Sequence, residues 1–161
     1  MSAESNPATD RRIEAGLAQL AVVRSLQTDA EIGSAWTVVH ELRPHLDREA
    51  LIAACQAQRA EGFLSVGLFV DERCIGFAGY RIQTMLAHGR FLYIDDLVVT
   101  ESLRSCGAGA QLLDWLKGVA REAGCVSLQL DSGTQRTGAH AFYFRRGMKI
   151  SSFHFIRPLS A

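Results

Sequence analysis

The sequence predicts one α/β (α+β) domain, a mostly antiparallel sheet with a single parallel step and helices on both faces. Three observations predict it. Three strand-like runs follow one another between residues 63 and 99 with only short connections, and neighbours joined that tightly pair antiparallel. A strongly periodic helix after Gly107 is followed by the strand-like "VSLQLD" (126–131), so strand, crossover helix and strand form one parallel βαβ unit. Two capped helical segments stand ahead of the sheet's main run.

Each element has its own local reason. Residues 17–27, "LAQLAVVRSLQ", read as a first strand. Asp29 caps a helix through "AEIGSAWTVVHELR", which Pro44 ends. Asp47 caps a second helix, "REALIAACQAQRAEG", closed by Gly62. The strands "FLSVGLFVD", "CIGFAGYRIQTML" and "RFLYIDDLVV" follow, joined at residues 71–73 and 87–89. The next helix carries Leu112, Leu113, Leu116, Val119, Ala120 and Ala123 on one apolar face and stops at Gly124. A last helix covers about 135–146 and stops at Gly147, and "KISSFHFIRPL" reads as a closing strand.

Composition narrows the function classes. The 161 residues carry 17 basic and 17 acidic side chains, without the basic surplus of a nucleic-acid binder. No run is long and apolar enough to span a membrane. Residues 1–16 are polar, unlike a signal peptide, and read as a flexible N-terminal arm before a single domain at 17–161. Cys55, Cys74, Cys106 and Cys125 are scattered singly, which points to reduced cytoplasmic thiols and to no metal site.

The stretch "RSCGAGAQL" (104–112) raises the functional question. No carboxylate stands between Ser105 and Gln111, although helix N-termini ordinarily attract one. Small side chains let a ligand reach the unpaired N–H groups there, Arg104 adds a positive charge, and the stretch reads as a pyrophosphate cradle. A loop that packs tightly on the sheet fits the stretch alone equally well. A P-loop would need G-K-[ST], which is absent. A dinucleotide fingerprint fits Gly107 and Gly109, with Asp131 as ribose acid. It meets Leu112 at its third glycine, and seven residues separate Val99 from Gly107.

"LVVTESLRSCGAG" resembles the R/Q-x-x-G-x-G/A motif of the GCN5-related N-acetyltransferases (GNAT), and "AHAFYFRRGM" (139–148) resembles that family's A-x-x-F-Y-x-x-x-G-F segment. Both motifs stand in the family's order, and the element order β-α-α-β-β-β-α-β-α-β is similar to the GNAT fold over roughly residues 18–159. The family's sheet is splayed between its two parallel strands. The resemblance implies acetyl-CoA as donor, with the pyrophosphate on the amides of Arg104, Ser105, Cys106, Gly107, Ala108, Gly109 and Ala110. It implies the pantetheine arm along Leu97, Val98 and Val99, with Arg136, Ala139, Phe142 and Tyr143 completing the cofactor site. Arg136 stands where many members carry Asn, and Met148 replaces the usual Phe.

Acetyl transfer to an amine needs a base for the ammonium, a donor for the oxyanion and a proton for the departing thiolate. By the resemblance Asp95 is the first candidate base and Asp96 the second, with a water to relay the proton because Asp is short. Alternation along a strand prevents both from facing one side unless a bulge intervenes. By the resemblance Tyr143 is the acid, and a phenol suits a thiolate of similar basicity. The backbone N–H of Leu97 or Val98 is the candidate oxyanion donor. Cys106 has no local base and is set aside as a nucleophile. His140 reads as a packing or surface residue.

The acceptor side draws on Trp36, His40, Glu41, Arg81, Gln83 and His154. The segment 130–159 is similar to the aminoalkylphosphonate N-acetyltransferases, which implies a small primary amine bearing an acidic group, paired by Arg81 or Arg136. Direct attack in a ternary complex, without metal, nucleic acid or membrane, is the expected course, and a homodimer is common in the family. Two other readings stay open: an acyl-CoA sensor of the same fold without turnover, and a dinucleotide-binding protein.

Overall fold

A computed structural model describes Gly16 and residues 20–159. The expected arm at 1–16 lies outside the described residues but for Gly16. The chain divides into two compact units, Met1–Gln129 and Leu130–Ala161.

The first unit opens with β1 (Val22–Ser25), α1 (Asp29–Ser34), α2 (Trp36–Leu42) and α3 (Arg48–Arg59). The first strand is shorter than expected. Thr28 rather than Asp29 caps α1, because a capping box forms there: Thr28 Oγ1 accepts from Glu31 N–H (3.3 Å), and the Glu31 carboxylate accepts from Thr28 N–H (2.8 Å). The single helix expected over 30–43 is two. Ala35 closes α1 by donating to the Ile32 carbonyl and opens α2 by accepting from Val38 and Val39. Gly33 and Ser34 propagate a helix poorly, and the Arg48 guanidinium lies where a Gly33 side chain would stand. Asp47 caps α3 as expected, accepting from Ala50 N–H at 2.8 Å.

The sheet continues with β2 (Leu64–Val70), β3 (Arg73–Met85), β4 (Gly89–Val99) and β5 (Ser127–Leu130), in spatial order β1-β2-β3-β4-β5. The pairs β1–β2, β2–β3 and β3–β4 are antiparallel. Between β4 and β5 runs the crossover helix α4 (Ala108–Glu122), the connection that makes neighbouring strands parallel.

Helices cover both faces of this sheet. Ile32, Val38, Val39, Leu51 and Cys55 from α1–α3 pack with Phe63, Phe77 and Val98. Strand alternation sends Gly76 and Tyr80 to the other face. A Cβ at Gly76 would sit 3.0 Å from Leu112, so its glycine admits α4 close to the strand. Tyr80 meets Trp115 edge-on, with centroids 6.2 Å apart. Leu112, Leu113 and Leu116 are fully buried.

The second unit holds α5 (Thr137–Arg145), which stops at Gly147 in the left-handed region (φ +78°). Residues 149–159 form no strand, contrary to the expectation for "KISSFHFIRPL". Ile150, Phe153, Phe155, Ile156 and Leu159 are exposed there. Apolar spacing marks a segment able to pair, but a strand exists only once a neighbour supplies the other half of its hydrogen bonds.

Candidate active site

The cradle forms where β4 runs out. After a short 3₁₀ turn (Glu101–Leu103), Ser105 (φ +69°) and Gly107 (φ +92°) both take left-handed backbone. Alternating handedness gathers successive N–H groups into an anion-binding concavity. Helix α4 then starts at Ala108 with no side-chain cap and no acid in its first turn. The first helical bond found there runs from Gln111 N–H to the Gly107 carbonyl at 3.0 Å, so Ala108, Gly109 and Ala110 hold N–H groups that an α-helix cannot satisfy internally. A Cβ at Gly107 would meet nothing within 4 Å. Donors, dipole and open space fit a diphosphate.

Arg104, expected as the cradle's positive charge, is already engaged. It reaches Glu41 (3.4 Å) and Glu101 (3.5 Å) with about half of its side chain exposed. Glu41 also accepts from Thr100 Oγ1 (2.8 Å) and Glu101 N–H (2.9 Å), so α2 braces the loop that leads to the cradle.

The two carboxylates sit at a bulge. Gly79 pairs with Asp96 and Tyr80 with Ile94, which leaves Asp95 as the extra residue of β4. The bulge cancels the alternation, and both side chains meet arginines from the α1–α3 side. Arg81 Nε donates to Asp95 Oδ1 and Oδ2 at 3.2 and 3.1 Å. Arg43, just past α2, donates to Asp96 Oδ1 from Nε (2.9 Å) and Nη2 (2.6 Å). Burial pushes the Asp95 carboxyl above its ordinary range; Arg81 works against this and Asp96 with it. A raised carboxylate is a stronger base than an exposed one.

Leu97, Val98 and Val99 pair with Ala78, Phe77 and Gly76 along one edge. On the other edge, Val126 N–H donates to the Arg90 carbonyl at 2.8 Å. A four-residue parallel strand starting there reaches only about as far as Ile94. The stretch Leu97–Val99 thus lies beyond the end of β5.

The expected acceptor residues do not all behave as expected. Trp36 Nε1 donates to the Leu46 carbonyl (3.1 Å), and His40 Nδ1 lies 3.1 Å from the same oxygen. Their rings lie 5.2 Å apart, and together they fasten the loop after α2. Arg81 is not available to a substrate anion, since Asp95, Gln58 and Glu61 occupy its guanidinium.

A sequence model of the Acetyltransferase (GNAT) family matches residues 23–148. The chain is 32% identical over 139 residues to the uncharacterized N-acetyltransferase YhdJ of Bacillus subtilis, covering 85% of this chain and 98% of that one. It belongs to the GNAT acetyltransferase family. A second relative, the aminoalkylphosphonate N-acetyltransferase of Salmonella typhimurium, is 36% identical over 86 residues, 53% of this chain and 56% of that one. Among solved structures, a Trypanosoma brucei acetyltransferase (24% identity, TM-score 0.71) covers 86% of this chain and 99% of that one. The aminoglycoside N-acetyltransferase AAC(6')-Iy in complex with CoA (16% identity, TM-score 0.76) covers 88% of this chain and 95% of that one. These structures share the fold. The chain is thus an acetyl-CoA-dependent N-acetyltransferase of the GNAT family.

The second unit carries the other GNAT motif. On α5, Tyr143 packs edge-on against Phe142 (5.4 Å), and burial raises its phenol above the ordinary value while Arg136 works the other way. Arg136 is the N-cap residue of α5 and offers no side-chain cap. His140 Nε2 lies 2.9 Å from the Gly133 carbonyl, holding the turn before the helix. His154 Nδ1 lies 2.9 Å from Asp131 Oδ2, so the histidine expected at the acceptor and the acid considered for a ribose meet each other. Among the described residues no three His, Cys, Asp or Glu side chains group to hold a metal, and no helix is long and apolar enough to cross a membrane.

Sequence reasoning missed Arg43, Gln58 and Glu61. The Arg43–Asp96 contact spans 53 residues of chain, and nothing local announces it.

Proposed function

We propose that the protein transfers acetyl from acetyl-CoA to the primary amine of a small molecule by direct attack, with Asp95 as base and Tyr143 as acid. The observation that carries this reading is the uncapped, acid-free start of α4 behind two left-handed residues, beside a bulge that presents two half-buried carboxylates.

Acetyl-CoA supplies a thioester already activated towards an amine. The N–H groups of Ala108, Gly109 and Ala110, with those of Ser105 and Gly107, hold its pyrophosphate, while the N–H groups of Arg104 and Cys106 stay bonded to the Glu101 and Leu103 carbonyls. The Arg104 side chain joins the cradle by leaving the Glu41 and Glu101 carboxylates, because such half-exposed pairs are worth only about 0–1 kcal/mol. The edge of Leu97–Val99 holds the pantetheine arm. Asp95 takes the proton of the acceptor ammonium, directly or through water, and the N–H of Leu97 or Val98 stabilises the oxyanion. Tyr143, assigned by its motif, keeps a proton for the departing sulfur; burial, which raises its phenol, keeps that proton in place at neutral pH. The relative of Salmonella typhimurium supports an aminoalkylphosphonate-like acceptor, and Asp95 and Asp96 supply the attraction for its ammonium.

Melting curves with acetyl-CoA, CoA, NAD and NADP side by side test the cradle. Ligand at about a hundred times Kd adds roughly 2.7 kcal/mol of stability. A higher melting point with the CoA compounds alone is expected, and a rise only with the dinucleotides overturns the reading.

A further inference from the structure

Arg81 lies on β3 with only 13% of its side chain exposed, and each edge of its guanidinium is spent inside the protein. Nε serves both Asp95 oxygens (3.2 and 3.1 Å), Nη2 donates to Gln58 Oε1 (2.6 Å), and Nη1 donates to Glu61 Oε2 (3.2 Å). The Phe63 ring centroid lies 5.6 Å from its central carbon. Gln58 and Glu61 come from the last turn of α3 and the turn after it. The guanidinium is thus fixed by a helix end and an aromatic ring, and its remaining edge points at the one residue of β4 that has no cross-strand partner. A bulged residue has no ladder to aim its side chain, and a planar fork is well suited to aiming a carboxylate.

We propose that Arg81 is a positioning residue that sets the orientation and the ionisation of Asp95 for proton removal from the acceptor amine. This rests on Asp95 being the base. A tie between α3 and the sheet would be complete with Gln58, Glu61 and Phe63 alone; the contact with Asp95 is what that role leaves over. The charged groups around Asp95 are Arg81 from β3, Asp96 beside it on β4, Glu61 reaching Arg81 from beyond α3, and Arg43 on the far side of Asp96. Without Arg81, burial and Asp96 both push the Asp95 carboxyl upward, and among the described residues no other group opposes them.

The test uses the full chain with Arg81→Gln, Arg81→Lys and Asp95→Asn. Carbon-13 NMR of the aspartate carboxyls, assigned by the loss of one signal in Asp95→Asn, reads the Asp95 midpoint without any acceptor. Arg81→Gln should raise that midpoint by about one to three pH units, the range for removing an adjacent opposite charge. The acid limb of kcat for acetyl transfer to aminoethylphosphonate should move to higher pH with it, while the KM for acetyl-CoA stays unchanged. Arg81→Lys keeps the charge and loses the fork, so the midpoint should stay near wild type while kcat falls; this variant carries the test if Arg81→Gln does not fold. An unmoved midpoint in folded Arg81→Gln, or full kcat in Arg81→Lys, overturns the proposal. Wild-type turnover in Asp95→Asn instead overturns the base assignment, and the role of Arg81 falls with it.

Discussion

Asp95 and Asp96 carry the same side chain at adjacent positions, and the bulge gives them different work. Asp95 is the extra residue of β4, gripped through Nε of a well-buried arginine; Asp96 keeps its ladder partner and meets Arg43, nearly half exposed. Asp95→Asn should therefore lower kcat by about a hundredfold or more, the usual worth of a positioned base. Asp96→Asn should change kcat by no more than a few-fold and cost about 1 kcal/mol of stability or less. Steady-state rates at saturating acetyl-CoA rank the two, and the reverse ranking would move the base to Asp96. Tyr143→Phe should lower kcat by at least about tenfold while the acetyl-CoA-dependent rise in melting point persists; a lost rise would make Tyr143 a binding residue instead. The carboxylates and the tyrosine stand out as candidates in the sequence because each sits in a local pattern, a pair of acids within a strand or a helix motif. The pairing of the acids with arginines does not. Arg81 stands 14 residues from Asp95, and only the register of β3 on β4 brings them together.

Elements follow the same division. The start of α4 could be read from five small residues and a missing acid, because capping and dipole effects act within one turn. The break at Ala35 was not legible, since the periodicity of Ile32, Val38 and Val39 passes through it and only the hydrogen bonds of Ala35 show two short helices. Residues 149–159 fail for the opposite reason: their spacing suits a strand, but a strand needs a partner that spacing does not supply. The cradle yields a prediction in which stability and function part. Ala110→Glu places a carboxylate in the acid-free first turn of α4. It should stabilise the apo protein by about 0.3–1 kcal/mol through the helix dipole and weaken CoA binding at least about tenfold. Calorimetry gives the affinity and urea unfolding the stability; both changing in the same direction would argue against a diphosphate at this helix end.

At the scale of the molecule, a five-stranded sheet covered on both faces explains why its thiols divide into two kinds. Cys55 faces the sheet from α3 and Cys74 lies on β3, both within the α1–α3 core, whereas Cys106 and Cys125 stand in the loops at either end of α4 and are partly exposed. Burial pushes Cys55 and Cys74 up from 9.0 to about 11, against the weaker pull of Arg59 on the first and of backbone hydrogen bonds on the second. Unfolding restores ordinary thiols, so between pH 9 and 11 the unfolded chain gives up protons that the folded chain keeps. Stability from these two groups is thus complete below about pH 9 and is lost as pH rises through about 11. Urea unfolding from pH 8 to 11 should show that decline, and Cys55→Ala with Cys74→Ala should flatten it while lowering stability at neutral pH through lost packing. A neutral-pH pulse of thiol reagent should label Cys106 and Cys125 in the native chain and reach the other two only with global unfolding. Rapid native labelling of Cys55 or Cys74 would mean that the helical face opens locally, and the same slope in the double variant would assign the alkaline loss to other groups.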